Sequence, residues 1–166
     1  MVLSLTECIG KKVPCVHFSI DDAILGLQEL FENKPKSLWS SHYFRYIREL
    51  HDDTDAAITL YLFFSNETLE RVKYPFDLSQ TTDQYAEEFA SASSWLKFGI
   101  HAHHRQKLIL SQTREEFEDT AIQILKHIHL VFAEKSNIAS TCRPHYYAAH
   151  KDACITLKRW GVNILF

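Results

Sequence analysis

Residues 56–64 read Ala-Ala-Ile-Thr-Leu-Tyr-Leu-Phe-Phe, a nearly unbroken apolar run of β-forming side chains. A strand with one face in water alternates apolar and polar residues. A strand that is apolar on both faces has to be covered on both, as in a parallel sheet flanked by helices. Parallel neighbours also need long crossovers between them, usually helical. This run therefore asks for helices before and after it and for further strands beyond those.

The sequence supplies them in order. Within residues 13–20, Val16, Phe18 and Ile20 alternate with His17, Ser19 and Asp21, the period of a strand. Ile24, Leu27, Gln28 and Phe31 have helical spacing, and Asn33-Lys34-Pro35-Lys36 breaks it. A second helix covers residues 40–50, with Tyr43, Phe44, Ile47 and Leu50 on one side, and a polar turn follows at 51–55. Residues 65–82, with Pro75 inside, form the longest irregular stretch, which marks a candidate functional loop. A short helix at 82–90 precedes a third strand at 96–101. Thr113 and Glu116 fit a capping box that opens a long helix to about residue 133. Its buried stripe is Phe117, Ala121, Ile124, Ile128 and Phe132. A fourth strand at 138–143, a helix at 151–160 capped by Gly161 and a fifth strand at 162–166 complete the chain.

This alternation predicts an α/β fold, with parallel strands alternating with helices in a partial or distorted (β/α) barrel. Residues 1–166 are expected to form a single domain. The last strand has no helix after it, so either it lies at an edge or the domain is the N-terminal part of a larger barrel.

Composition narrows the function classes. At 46% hydrophobic and 23% charged the chain can build a core. A net charge of -3 offers no basic surplus for phosphates, so nucleic acid is not an expected partner. No apolar run is long enough to span a bilayer. Residues 1–12 lack the basic start and apolar stretch of a signal peptide. Cys8, Cys15, Cys142 and Cys154 form no CxxC pair and read as reduced thiols of a cytoplasmic protein. Trp39, Tyr43, Tyr46, Trp95 and Trp160 read as core residues rather than a sugar platform. His17 and His42 receive no role, and His127 and His129 read as surface or helix-packing residues.

In folds of this class the active site gathers beyond the carboxyl ends of the strands. Those ends carry Asp21 and Asp22, then Ser65, Asn66 and Glu67, then His101 with His103 and His104, then Arg143, His145 and Tyr146. Each has an ordinary explanation: the aspartates are good helix caps, His101 suits a core histidine bonded to a carbonyl, and Arg143 suits a charge beside a turn. Together they place acids, imidazoles and a guanidinium on one rim. Carboxylate and imidazole ligands suit a divalent metal, with zinc first and iron, manganese, nickel or cobalt as alternatives. A second carboxylate beside the ligand set can accept a proton from water, and a nearby arginine would hold it ionised.

Ser19-Ile20-Asp21-Asp22, Phe98-Gly99-Ile100-His101 and Arg143-Pro144-His145-Tyr146 resemble, in order, the first three motifs of polysaccharide deacetylases, the NodB-type carbohydrate esterases. The resemblance runs from about Val13 to the end of the chain. It implies a distorted (β/α) barrel. It also implies that Asp21 is the catalytic base, Asp22 and His101 are metal ligands, and Arg143 positions the base. Tyr146 would help hold the oxyanion through its backbone N–H.

Two departures stand out. The family's second metal-binding histidine falls at Arg105, which cannot bind a cation. His103, His104 and His145 remain as candidates for a third ligand, and the adjacent strand end favours His145. The family's last two motifs have no match. The resemblance thus predicts a metal-dependent hydrolase that removes an acetyl or acyl group from an amino sugar or related amide. The alternative is a catalytically degenerate deacetylase-like domain that binds carbohydrate or protein. A third reading is another metal-dependent hydrolase with a non-sugar substrate.

Overall fold

The computed structural model describes residues 18–69, 72, 74–132 and 137–165, without the side chains of Phe132 and Ile164. Expectations for residues 1–17, including the start of the first strand, His17, Cys8 and Cys15, lie outside the described residues. So do the end of the long helix at Ala133, the Phe132 side chain and Phe166.

The element order is β1 (Phe18–Ile20), α1 (Ile24–Asn33), α2 (His42–Thr54), β2 (Ile58–Phe63), α3 (Ala86–Ser91), β3 (Leu96–Ala102), α4 (Arg114–Phe132), β4 (Thr141–Cys142), α5 (Lys151–Arg159) and β5 (Ile164–Leu165). The architecture is mixed α/β, as the apolar run required. β1, β2 and β3 form one parallel sheet in that order, and β4 pairs with β5, also parallel. A parallel bridge between Phe98 and Ile138 links the two. Closure into a barrel is not seen among the described residues. No helix among them is long and apolar enough to cross a membrane.

β2 is buried along its whole length. Phe44, Phe89 and Phe98 pack edge to face beside it, with centroids 5.3 Å and 5.6 Å apart. Burying an aromatic of this size contributes roughly 1.5–3 kcal/mol. The predicted stripe of α4 is inside: Phe117, Ala121 and Ile124 are fully buried and Ile128 nearly so. The capping box forms as expected. Glu116 N–H donates to Thr113 Oγ1 at 3.2 Å, and Thr113 N–H donates to Glu116 Oε2 at 2.8 Å. Gly161, at φ +88°, closes α5, with Val162 N–H reaching Leu157 O and Gly161 N–H reaching Lys158 O.

Several boundaries differ from expectation. The supposed polar turn at 51–55 is mostly helix: α2 runs to Thr54, and Asp55 takes the left-handed cap, with its N–H on His51 O. An Arg48–Asp52 pair one turn apart lets the polar segment stay helical. The fourth strand shrinks to two residues. Before it, buried Asn137 donates to Phe89 O and Leu96 O, and Ile138 keeps only an isolated parallel bridge to Phe98. β1 is not fully buried, since Phe18 on this outer strand is 39% exposed. Tyr46 points outward at 60% exposure and is not a core residue. Trp39, Tyr43, Trp95 and Trp160 are partly buried against the core. Cys142 and Cys154 are free thiols.

Candidate metal centre

The carboxyl ends of β1, β3 and β4 meet at a cleft of about 180 Å³ lined by Asp21, Asp22, His101, Arg143, His145 and Tyr146, among others. The capping role open to the two aspartates is not taken. Helix α1 starts from Ala23 with no side-chain cap. Asp22 instead adopts a left-handed backbone, φ 53°, which aspartate tolerates better than most residues.

His101 is 3% exposed. It occupies an irregularity in β3, where Leu62 pairs with Ile100 but Phe63 pairs with Ala102, leaving His101 as the extra residue. Its Nδ1 lies 2.6 Å from the Arg143 carbonyl oxygen. A carbonyl only accepts, so Nδ1 carries the proton and Nε2 presents a lone pair to the cleft. That Nε2 lies 3.0 Å from His145 Nδ1 and 3.7 Å from Asp22 Oδ1. One donor atom from each of Asp22, His101 and His145 falls within 4.8 Å of the others.

These residues fit a divalent ion. Bonds of about 2.0–2.1 Å in a tetrahedral zinc site put ligand atoms roughly 3.3 Å apart, and the two measured separations straddle that value. Asp22 Oδ1 is buried without a hydrogen-bond partner. A buried polar atom left unsatisfied costs about 1–3 kcal/mol, which a cation at this point would offset. Burial pushes the His101 imidazole below its ordinary range, against the opposing bond to Arg143 O. Burial does the same to His145, helped by His101 beside it. Neutral rings are the form that ligates metal. One carboxylate and two imidazoles suit zinc, and also iron, manganese, nickel or cobalt.

Next to this set, Arg143 Nη1 donates to both oxygens of Asp21, at 3.1 Å and 3.3 Å. Its Nη2 donates to Ser19 Oγ at 2.5 Å. The guanidinium lies over the Tyr61 ring, 5.5 Å from its centroid. Tyr61 shares a hydrogen bond of 2.7 Å with Thr141 Oγ1, and burial raises its phenol to about 12. A Cβ on Gly99 would sit 2.7 Å from the Tyr61 ring and 3.1 Å from Thr141 O, so only glycine lets these groups come together. Ser19, Tyr61 and Gly99 had received no role from the sequence. Ser19 is two residues before Asp21 on a strand and shares its face. Gly99 is an interior strand glycine, a sign of close approach.

His103 is not in the cluster. Its ring packs at 5.2 Å from both Phe64 and His104. His104 in turn contacts Thr68 and lies 3.8 Å from Glu67. Tyr146 and Tyr147 line the cleft with left-handed backbones, both at φ 57°, and are 61% and 72% exposed.

Comparison with known proteins gives a fold. No known family matches the sequence, and no curated protein matches it. Two crystal structures of BA3943, a CE4 family pseudoenzyme from Bacillus anthracis, do match in shape. A mutant with restored enzymatic activity aligns at TM-score 0.51 and 12% identity, covering 90% of this chain and 43% of that one. The wild type aligns at TM-score 0.51 and 10% identity, covering 90% and 42%. The chain thus spans less than half the length of the neighbour it matches. The likeness is to a deacetylase-like fold, and at this identity it concerns the fold alone.

Proposed function

We propose that this chain is a deacetylase-like domain that binds an N-acylated carbohydrate at a divalent-metal centre formed by Asp22, His101 and His145, with zinc the preferred ion. The barrel suggested by strand order would be a partial one. The observation that supports a metal is the convergence of three donor atoms from separate strand ends, with Asp22 Oδ1 buried and without a hydrogen-bond partner.

On turnover, the comparisons favour a binding domain of the degenerate kind, because the solved neighbour is a pseudoenzyme. A second reading, hydrolysis, has its own support. Asp21 is held by Arg143 beside the donor set and is not consumed as a ligand. A bound divalent ion would supply Lewis acidity toward the acyl oxygen and water. Asp21 would accept a proton from the attacking water as the new carbon–oxygen bond forms. It would return that proton to the amine as the carbon–nitrogen bond breaks, leaving the carboxylic acid and the amino sugar, which exchange the second water proton to end as carboxylate and ammonium. Tyr146 N–H would stabilise charge on the acyl oxygen.

The test is calorimetry with zinc, then with N-acetylglucosamine on the zinc-loaded chain, followed by an acetate-release assay. Sugar binding without acetate supports the binding domain. Acetate release that Asp21→Asn abolishes supports hydrolysis. Failure to bind zinc would sink the metal centre.

A further inference from the structure

The metal cleft is small. At about 180 Å³ it falls below the roughly 300–1,000 Å³ of clefts that bury most of a small-molecule ligand. It suits an acyl group, and a sugar ring attached to that group would lie at the mouth. Tyr146 and Tyr147 line the same cleft, and their exposure puts them at its mouth. Tyr147 is the most exposed large hydrophobic side chain among the described residues, at 72%. The Tyr146 ring rests on His145, with centroids 4.2 Å apart.

The backbone beneath these rings is strained. Both residues are left-handed at φ 57°, a conformation that a bulky side chain rarely adopts. Tyr147 N–H donates to Pro144 O at 2.8 Å and holds the turn. The left-handed non-glycine residues outside the cleft, Lys34 and Asp55, each cap a helix. Glycine would take the Tyr147 position without the steric penalty. Burial does not offset that penalty, because the Tyr147 ring stays mostly in solvent. Strain of this kind gathers at ligand sites. We propose that Tyr147, with Tyr146 beside it, is the platform against which the ring of an N-acylated sugar stacks while its acyl group enters the metal cleft. The face of a phenol ring matches the C–H-lined face of a pyranose, and the hydroxyl at its edge remains in water. Tyr147 is then a specificity residue, selecting an acyl group carried on a sugar over the same group on a small amide. This rests on the carbohydrate reading above and adds to it the residue that reads the sugar ring.

Binding tests this independently of turnover. The full chain is titrated by calorimetry, with and without zinc, against N-acetylglucosamine and against N-methylacetamide, which carries the acyl amide and no ring. The sugar should bind tighter by roughly tenfold or more, and Tyr147→Ala should weaken it by about tenfold with zinc stoichiometry unchanged. Tyr147→Phe keeps the ring face and should keep the affinity. Tyr147→Gly relieves the left-handed backbone, so it should lose the sugar as Tyr147→Ala does while its thermal midpoint holds or rises. Tyr46→Ala, which removes an exposed tyrosine of α2, should bind as the wild type does. Sugar affinity undiminished by Tyr147→Ala, or equal affinity for the two ligands, overturns the platform and leaves the metal centre standing. Zinc lost in Tyr147→Ala, or a midpoint that falls in Tyr147→Gly, shows a structural role and overturns it too. No sugar binding by the wild type, with or without zinc, removes the carbohydrate reading and the platform with it.

Discussion

β3 carries histidines into two neighbouring surroundings with opposite outcomes. On one side His101 meets His145 and Asp22, with lone pairs and a carboxylate oxygen converging within 4.8 Å. On the other, His103 and, from α4, His127 pack against the Phe64 ring, at 5.2 Å and 6.0 Å. Burial lowers the affinity for protons of all four imidazoles. Perturbed histidines are therefore common to both places and do not distinguish them. What separates them is the neighbouring group: the Asp22 carboxylate beside His101 and His145 in one case, the Phe64 ring beside His103 and His127 in the other.

The largest expected effect breaks or keeps this distinction directly. Asp22→Ala and His101→Ala should each weaken zinc binding by more than about 100-fold, beyond the range seen when only a supporting partner of a ligand is lost. His103→Ala and His104→Ala should leave zinc stoichiometry unchanged. Metal content after dialysis, with calorimetry for affinity, reads both. Zinc lost with His103→Ala would show that the ligand set extends past the irregularity at His101.

The sequence favoured His145 but kept His103 as a candidate, and the reason is local. Strict alternation would place His101 and His103 on one face of the strand. The register slip between Leu62 and Phe63 cancels that alternation, and nothing in the residues 96–103 announces it. Other features were legible because they depend on nearby residues: the apolar run of β2, the Thr113–Glu116 box, the glycine after α5. The Asp21–Arg143 pair joins residues 122 positions apart, yet the order of the motifs anticipated it. The length of β4 was not legible, because the segment before it is held by long-range contacts, the Asn137 side chain on Phe89 O and Leu96 O and the bridge from Ile138 to Phe98.

A smaller effect sharpens the comparison through the support beneath each group. Gly99 lets Tyr61 and Thr141 close under Arg143. Gly99→Ala forces a methyl group against a buried ring and should cost about 1–3 kcal/mol. For a chain of this size the thermal midpoint would fall by roughly 2–4 °C per kcal/mol. Tyr61→Leu in the same chain should reduce that cost, because the ring that the methyl meets is gone. An unchanged midpoint in Gly99→Ala would show that the backbone yields there and that the support is looser than the distances indicate.

The smallest effect concerns the aromatic side of β3, where one partly buried imidazole can be tested alone. Burial is the main cause that lowers His127, Lys126 adds to it, and Asp77 opposes it. Its folded-state affinity for protons is therefore below that of the unfolded chain, near 6.5 for an ordinary histidine. The unfolded state binds more protons as pH falls through that value, so His127 contributes stability above it and loses that contribution below. His127→Gln should accordingly flatten the fall in thermal midpoint between about pH 7.5 and 5.5, while Asp77→Asn should steepen it by removing the charge that favours protonation of both His127 and His103. Contributions from His101 and His145 are common to wild type and both variants and cancel in the difference. Parallel pH curves for wild type and His127→Gln would mean that Phe64 does not shield this imidazole. The contrast between the two histidine groups would then rest on the carboxylate alone.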